Sequence, residues 1–557
     1  MFDTGFPVLT AIILFPLVAC ICLFFFERPH WVRVFTLVVS IVEVYLTLPL
    51  LKFQFGTADF QFVERIPWMP GWGLEYYLGV DGISVLMVWL TVGVLPLCVL
   101  CSWSYIENRV KEFHFCLLFM SAACLGVFCS LDFVLFYVFW EAMLVPMYLL
   151  IAVWGGPERR YASIKFILYT LAGSTVLLVA LIAFRIVGGT FSIPDLMMKS
   201  FSFRFQFWAF LAMALAFAIK VPMFPFHTWL PAAHVEAPTA GSVLLASILL
   251  KMGTYGFLRF CLPLTPLASE YFAPMMIAIS LASILYGGAV ALGQDDMKKI
   301  IAYSSVGHMG FVTLGIFLFN QRGVEGALFQ MLNHGITTGA LFMMVGTIYE
   351  RSHSRMINQN LGLGKHMPAY MGYFGLFAFS SFGFPGTNSF VGELLVMIGA
   401  FQSNPWIGAA VVPGVLLAAT YMLRLSQKLA WGEPTSFKKS WKDLRGREWA
   451  YLVPPALFVI YIGLAPGVFF KTMDASVQNL VSSFRAKTAM TISPAPRAEK
   501  PLVVFEANVE TSKMNDPATS SGVSDVFRHA GLAPASSLSF WIPASAGMTT
   551  NAAGRGE

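Results

Sequence analysis

The chain has 557 residues, 57% of them hydrophobic and only 12% charged, with a mean hydropathy of +0.70. A soluble fold of this length cannot hide so much apolar surface, so that class is excluded and a polytopic helical membrane protein is expected. The net charge of +6 then reads as cationic loops on one membrane face, not as a nucleic-acid footprint.

Residues 6–26 open the chain without the basic flank of a cleaved signal, Asp3 standing where Lys or Arg would, so a retained first helix is expected. Apolar runs near the length of a bilayer crossing follow at 31–52, 80–103, 112–130, 132–154, 161–187, 206–234, 239–262, 270–292, 296–318, 323–349, 369–400, 406–430 and 449–471. The expected fold is therefore all-α, with about fourteen transmembrane helices. The fourth and fifth runs nearly merge around Ser130-Leu131-Asp132. All eight cysteines fall inside apolar runs, and the lone CxxC of Cys98 and Cys101 reads as packing thiols. From about 487 onward Thr, Ser, Ala, Pro and Gly dominate, which predicts a disordered extension over 487–557.

Basic loops carrying Arg28/Arg33, Arg109/Lys111, Arg159/Arg160, Lys298/Lys299, Arg351/Arg355/Lys365 and Lys438/Lys439/Lys442/Arg445/Arg447 alternate with basic-poor ones. Basic loops face the cytoplasm, which places both chain ends on the outer side. The connection 185–206, with Arg185, Lys199 and Arg204, runs against the trend.

Two of these runs are long and interrupted. In the seventh, Lys220 sits mid-run in FWAFLAMALAFAIKVPMFPFHTWLPAAH, followed by Pro222, Pro225 and Pro231. In the twelfth, Ser380-Ser381-Phe382-Gly383-Phe384-Pro385-Gly386-Thr387-Asn388-Ser389 precedes Glu393. A proline removes a backbone donor where lipid offers no substitute, so each segment reads as a broken helix lining a hydrated path. Their five-helix separation points to two inverted five-helix repeats, 112–262 and 263–431. Three helices in 1–111 precede them, and a loop with the last helix follows in 432–486.

Ionisable groups recur at mid-membrane depth: Glu141, Lys220, Lys251 and Glu393, joined by His308 and His334. The four fully ionisable groups together cost on the order of 10 kcal/mol unpaired. One reading makes them ion pairs that fix helix register. The functional reading is a proton relay, because a lysine alternately desolvated and approached by a carboxylate takes up and releases a proton, with histidine as an intermediate station. His227, His234 and Glu236 lack metal-ligand spacing and read as a gate or loop contact. Asp81 reads as the N-cap of the third helix, and Asp296 with Lys298 and Lys299 as an interfacial cap and anchor. Glu43 and Arg424 are expected to be buried. GKH at 364–366 lacks the phosphate-loop spacing, no dinucleotide fingerprint follows a strand, and no cysteine set suits an iron–sulfur cluster.

AIKVPMFPFHTWLPAAHVEAPTAGSVLLASILLKMGTYGFLRF, DDMKKIIAYSSVGHMG, LNHGITTGALF and FGFPGTNSFVGELL closely resemble the antiporter-like membrane subunits of proton-pumping NADH:quinone oxidoreductase, respiratory complex I. The resemblance covers residues 1–485 and is greatest to the chain 4, or subunit M, type, because position 393 is Glu where sister subunits carry Lys. It implies fourteen helices in two inverted repeats, a Glu141–Lys220 pair, Lys251 as central station and Glu393 as terminal station, with His308 and His334 on the water chain. The apolar runs end near 471, so the long lateral amphipathic helix and extra span of one sister subunit are not expected here. NADH, flavin, iron–sulfur clusters and quinone would belong to partner subunits, leaving this chain with no cofactor. The expected partners are neighbouring antiporter-like subunits, protons and lipids, and the expected location is the bacterial inner membrane. The rival readings are an Mrp-type cation/proton antiporter subunit and an inert scaffold.

Overall fold

The computed structural model describes residues 6–433 and 441–492. Helices stand at every expected run. They are α1 (Val8–Cys22), α2 (Pro29–Leu46), α3 (Ser84–Ser102), α4 (Val110–Cys129), α5 (Phe133–Ala142) with α6 (Leu144–Trp154), and α7 (Arg159–Gly188). There follow α8 (Phe203–Lys220), α9 (Trp229–Glu236), α10 (Thr239–Leu264), α11 (Pro266–Leu292), α12 (Met297–Phe317) and α13 (Gln321–Ser352). The last are α14 (Pro368–Ser381), α15 (Asn388–Ser403), α16 (Pro405–Ala430), α17 (Gly446–Leu464) and α18 (Gly467–Ile492). Side-chain caps start several of them: Asp132 accepts from Val134 N at 2.8 Å, Asp296 from Lys298 N at 2.8 Å, and Asn320 from Gly323 N at 2.7 Å.

Eleven helices among the described residues are long and apolar enough to cross a membrane, and up to twelve if α17 and the first part of α18, bent by 69°, count as one span. The chain is thus a mostly helical, multi-pass membrane protein. The expected count of fourteen is not reached by this measure for a physical reason. The polar residues Glu325, Gln330, Asn333 and His334 dilute the hydropathy of α13, and α14 and α15, of 14 and 16 residues, are each short of a crossing.

Three further expectations are corrected. The chain is not all-α: β1 (Gln61–Met69) and β2 (Leu74–Val80) form an antiparallel hairpin in which Ile66 faces Tyr76. The helices do not end near 471, because Pro466 breaks the last run after Leu464 and α18 then continues to Ile492. The expected extension therefore begins inside a helix over 487–492, and the rest of it lies outside the described residues. Finally, Arg424 is exposed, its guanidinium 3.4 Å from Leu292 O.

The core is built around α10, α12 and α13, which are buried along nearly their whole length, whereas α1, α2, α7 and α16 bury one face and expose Leu14, Tyr45, Ile186 and Leu416 on the other. An outward apolar face of this kind is an anomaly in water and the requirement in lipid. Contacts gather the connections into two groups. At one end Arg33 meets Ile106 O, Trp154 meets Asn108 O, Arg447 meets Ser104, Arg355 meets Glu236, and Arg351 meets Glu448. These are the basic connections. At the other, Leu131 N donates to Tyr77 O, Phe133 N to Phe191 O, and Gly82 N to Ser476 Oγ.

Candidate functional site

Each broken segment supplies one end of the site, and the backbone groups its break frees are satisfied inside the protein. After Lys220, the last residue of α8, Met223 N donates to Ala218 O at 2.8 Å and Trp229 Nε1 to Ile219 O at 2.8 Å. Between α14 and α15, Gly383 N donates to Ser380 O at 3.1 Å and Phe384 N to Phe379 O at 3.0 Å. Irregular backbone at membrane depth is tolerated only when enclosed in this way.

Lys220 is 2% exposed. Its Nζ lies 3.5 Å from Met143 Sδ and 5.0 Å from the centre of the Trp140 ring, a cation–π placement. Trp140 is itself held by a 3.1 Å bond to Ser174 Oγ. Among the described residues Glu141 and Lys220 make no ion pair within 4.0 Å, but the Glu141 charge lies near enough to act on Lys220. Glu141 ends α5 at a kink. Pro146 has no N–H to give Ala142 O, so the segment breaks between Ala142 and Leu144, just after the half-buried carboxylate. Its buried Oε1 has no hydrogen-bond partner.

Lys251, 0% exposed, lies on α10 between two π-helical turns, Leu245–Leu249 and Phe257–Cys261. Such turns offset the helical register, and here the Ala246 carbonyl takes a hydrogen bond from Lys251 Nζ. The same Nζ meets His334 Nδ1 at 2.6 Å. The His334 ring stands 5.7 Å from that of His308, centre to centre. His308 Nδ1 contacts Glu393 Oε1 at 2.9 Å and its Nε2 lies 3.3 Å from Ser381 Oγ, beside the second break. The structure thus brings Lys251, His334, His308 and Glu393 into one buried line, with Lys220 and Glu141 near the other break. A line of lone pairs and exchangeable protons can pass a proton once a water closes the one step, between the two imidazoles, that no hydrogen bond spans.

Sequence reasoning missed the polar groups that accompany this line. Gln330 Nε2 donates to Glu393 Oε1 at 3.0 Å. Asn333 Nδ2 donates to Asn388 O at 2.8 Å, and Thr337 Oγ1 lies 2.7 Å from Ser380 Oγ. It also missed Arg259, whose NH2 pairs with Asp81 at 2.7 Å, both side chains 5% exposed. An arginine within an apolar run was the available signal, the same one that marked Lys251. Asp81 also accepts from Ser84 N at 3.0 Å, but it stands two residues before Ile83, the residue at the N-cap of α3. Lys298 is buried at the basic end and donates to Ala237 O at 2.8 Å. Glu43 is buried and bonded to Ser121 at 2.9 Å. His234 stacks on Phe342 at 4.6 Å, while Glu236 takes Glu158 N at 2.9 Å and Arg355 at 3.3 Å, a loop contact. Among the described residues no group of three or more His, Cys, Asp or Glu is placed to hold a metal ion.

Two family models match the chain: "NADH:quinone oxidoreductase/Mrp antiporter, TM" over residues 130–418 and "NADH-ubiquinone oxidoreductase chain 4, amino terminus" over 11–127. NADH-quinone oxidoreductase subunit M of Rhodobacter capsulatus is 45% identical over 475 residues, covering 83% of this chain and 92% of the relative. NADH-ubiquinone oxidoreductase chain 4 of Arabidopsis thaliana is 42% identical over 478 residues, 85% of this chain and 97% of the relative. Among solved structures, a chain of respiratory complex I from Thermus thermophilus matches with a TM-score of 0.79 and 31% identity, over 86% of this chain and 99% of that one.

Proposed function

The chain belongs to the antiporter-like membrane subunits of NADH:quinone oxidoreductase, in their chain 4 or subunit M branch, and from that premise we propose that its buried Glu/Lys/His line is a proton relay. The protein is a proton-translocating membrane subunit of complex I. The relay runs from Glu141 and Lys220 through Lys251, His334 and His308 to Glu393. The observation that carries it is the buried row from Lys251 to Glu393, in which His334 touches the lysine, His308 touches the carboxylate and the two rings stand 5.7 Å apart. Water is expected to bridge the two imidazoles.

Lys220 stands over Trp140 and Met143 instead of touching Glu141, which suits the separated state of a pair whose closing and opening loads and releases a proton. Moving one proton against 100 mV takes about 2.3 kcal/mol. A change in one close ion pair is of that order even at an effective dielectric of about 20. NADH, flavin, clusters and quinone belong, on this reading, to partner subunits, and neighbouring antiporter-like subunits deliver the electrostatic change.

The same reading takes α13, the α14/α15 pair and the α17/α18 pair as crossings too, giving fourteen spans in two inverted five-helix repeats, 112–262 and 263–431. The matching places of the two breaks, after Lys220 and after Ser381, support it. It sets the basic end in the bacterial cytoplasm.

The test uses membranes bearing Lys220→Ala or Glu141→Gln in the assembled complex. Proton uptake coupled to NADH oxidation is expected to fall about tenfold or more, a barrier change of about 1.4 kcal/mol. Full pumping by an assembled variant overturns the relay. The Mrp-type alternative shares the broken helices, but the relatives at 45% and 42% identity are subunit M and chain 4 proteins.

A further inference from the structure

We propose that the groove between α7 and α8 is a phospholipid site, with one acyl chain along its floor and the lipid phosphate on Arg204. The groove is a cavity of about 380 Å³. Small side chains, Ala180 and Ala183 from one helix and Ala209 and Ala212 from the other, form its floor, and Ser202 and Arg204 stand at its mouth. From Ser202 to Ala212 the helix rises about 15 Å. That is half of the ~30 Å hydrocarbon core, the depth of one leaflet.

The mouth carries the features of a headgroup level. Arg204 is exposed and makes no ion pair among the described residues. It lies in the first turn of an 18-residue helix, beside the N–H groups and positive dipole end of α8, where Ser202 Oγ accepts from Phe205 N at 3.4 Å. A guanidinium fork matches phosphate oxygens bidentately. Phe203, Trp208 and Tyr271, 45%, 66% and 62% exposed, surround this end, with Phe203 and Tyr271 rings 5.7 Å apart. Exposed Trp and Tyr gather at the membrane–water boundary. A helix from another subunit would fill the apolar floor but would have to bring an acidic side chain of its own to Arg204. A phospholipid satisfies the floor and the cation with one molecule.

The test needs only that the chain spans a membrane and does not depend on the relay. The assembled complex is reconstituted in phosphatidylcholine vesicles containing phosphatidylglycerol with a photoreactive acyl chain, and in parallel with photoreactive phosphatidylcholine. Label is expected in peptides spanning 179–183 and 203–212. Arg204→Gln is expected to lower the phosphatidylglycerol label about fivefold, the worth of one basic residue beside an anionic headgroup. Ala212→Trp, which fills the groove, is expected to abolish label from both lipids without changing NADH oxidation, and Ala183→Phe serves where that variant fails to assemble. Absence of label from these peptides, label indifferent to the filled groove, or cross-linking of a neighbouring subunit's peptide in its place overturns the site. Label lost on filling but unmoved by Arg204→Gln overturns the phosphate contact.

Discussion

Lys251 is fully enclosed, and the groups its Nζ touches, the Ala246 carbonyl and His334 Nδ1, bring no negative charge to it. In the tautomer that leaves Nδ1 without a proton, His334 is the acceptor through which the lysine hands on a proton. His334→Leu is expected to leave NADH oxidation and assembly in place while proton uptake in vesicles falls about tenfold or more. His334→Gln, which keeps an acceptor without a titrating ring, should not restore it. Asp81 and Arg259 pose the opposite case, a buried pair satisfied by charge. Asp81→Asn keeps an oxygen for Ser84 N but leaves the guanidinium uncompensated, and a loss of about 3–5 kcal/mol is expected. Thermal unfolding of the purified complex measures it, and adding Arg259→Met should recover most of the loss. Arg259 stood in an apolar run as plainly as Lys251. Its partner lies 178 residues away, and nothing local to either residue shows the match.

Both breaks were legible because proline and glycine act locally: they remove donors or permit backbone that lipid would otherwise forbid. The second break depends on Gly383, at φ +73°, where an added Cβ would lie 2.9 Å from Glu393 Oε2. Gly383→Ala therefore strains the turn by about 1–2 kcal/mol and displaces the carboxylate that His308 and Gln330 hold. The expected outcome is an assembled complex with weakened coupling, read as fewer protons taken up per NADH oxidised. The π turns around Lys251 left no trace in the side-chain pattern. They are offsets of backbone register inside a helix that reads as continuous, and the neighbours packed on α10 decide them. The kink after Glu141 had its proline in view at Pro146, but whether the carboxylate would face Lys220 depended on the angle the two halves adopt.

Across the whole molecule, α18 ties together connections from distant parts of the chain. Phe484 stacks on Phe319 at 4.2 Å and Phe470 on Phe329 at 4.8 Å, Ser476 receives Gly82 N at 3.0 Å, and Lys487 donates to Met197 O and Pro263 O at 2.7 and 2.8 Å. Phe484 is buried, so Phe484→Ala is expected to cost about 3–5 kcal/mol, lowering the complex's unfolding temperature and the amount accumulated in membranes. The sequence by itself was enough for the solvent, the apolar helices, the two breaks and the titratable groups Lys220, Lys251, His308, His334 and Glu393 that lie buried beside them, though not for Arg259 or Arg424. Those follow from transfer free energies summed residue by residue along one segment. The tertiary structure alone decided which of those groups touch: that His308, 85 residues before it, meets Glu393, that Lys251 meets His334, and that Glu141 stands off from Lys220. Contact between segments is set by how helices pack side by side, and that geometry is a property of the assembled bundle, carried by no single stretch of chain.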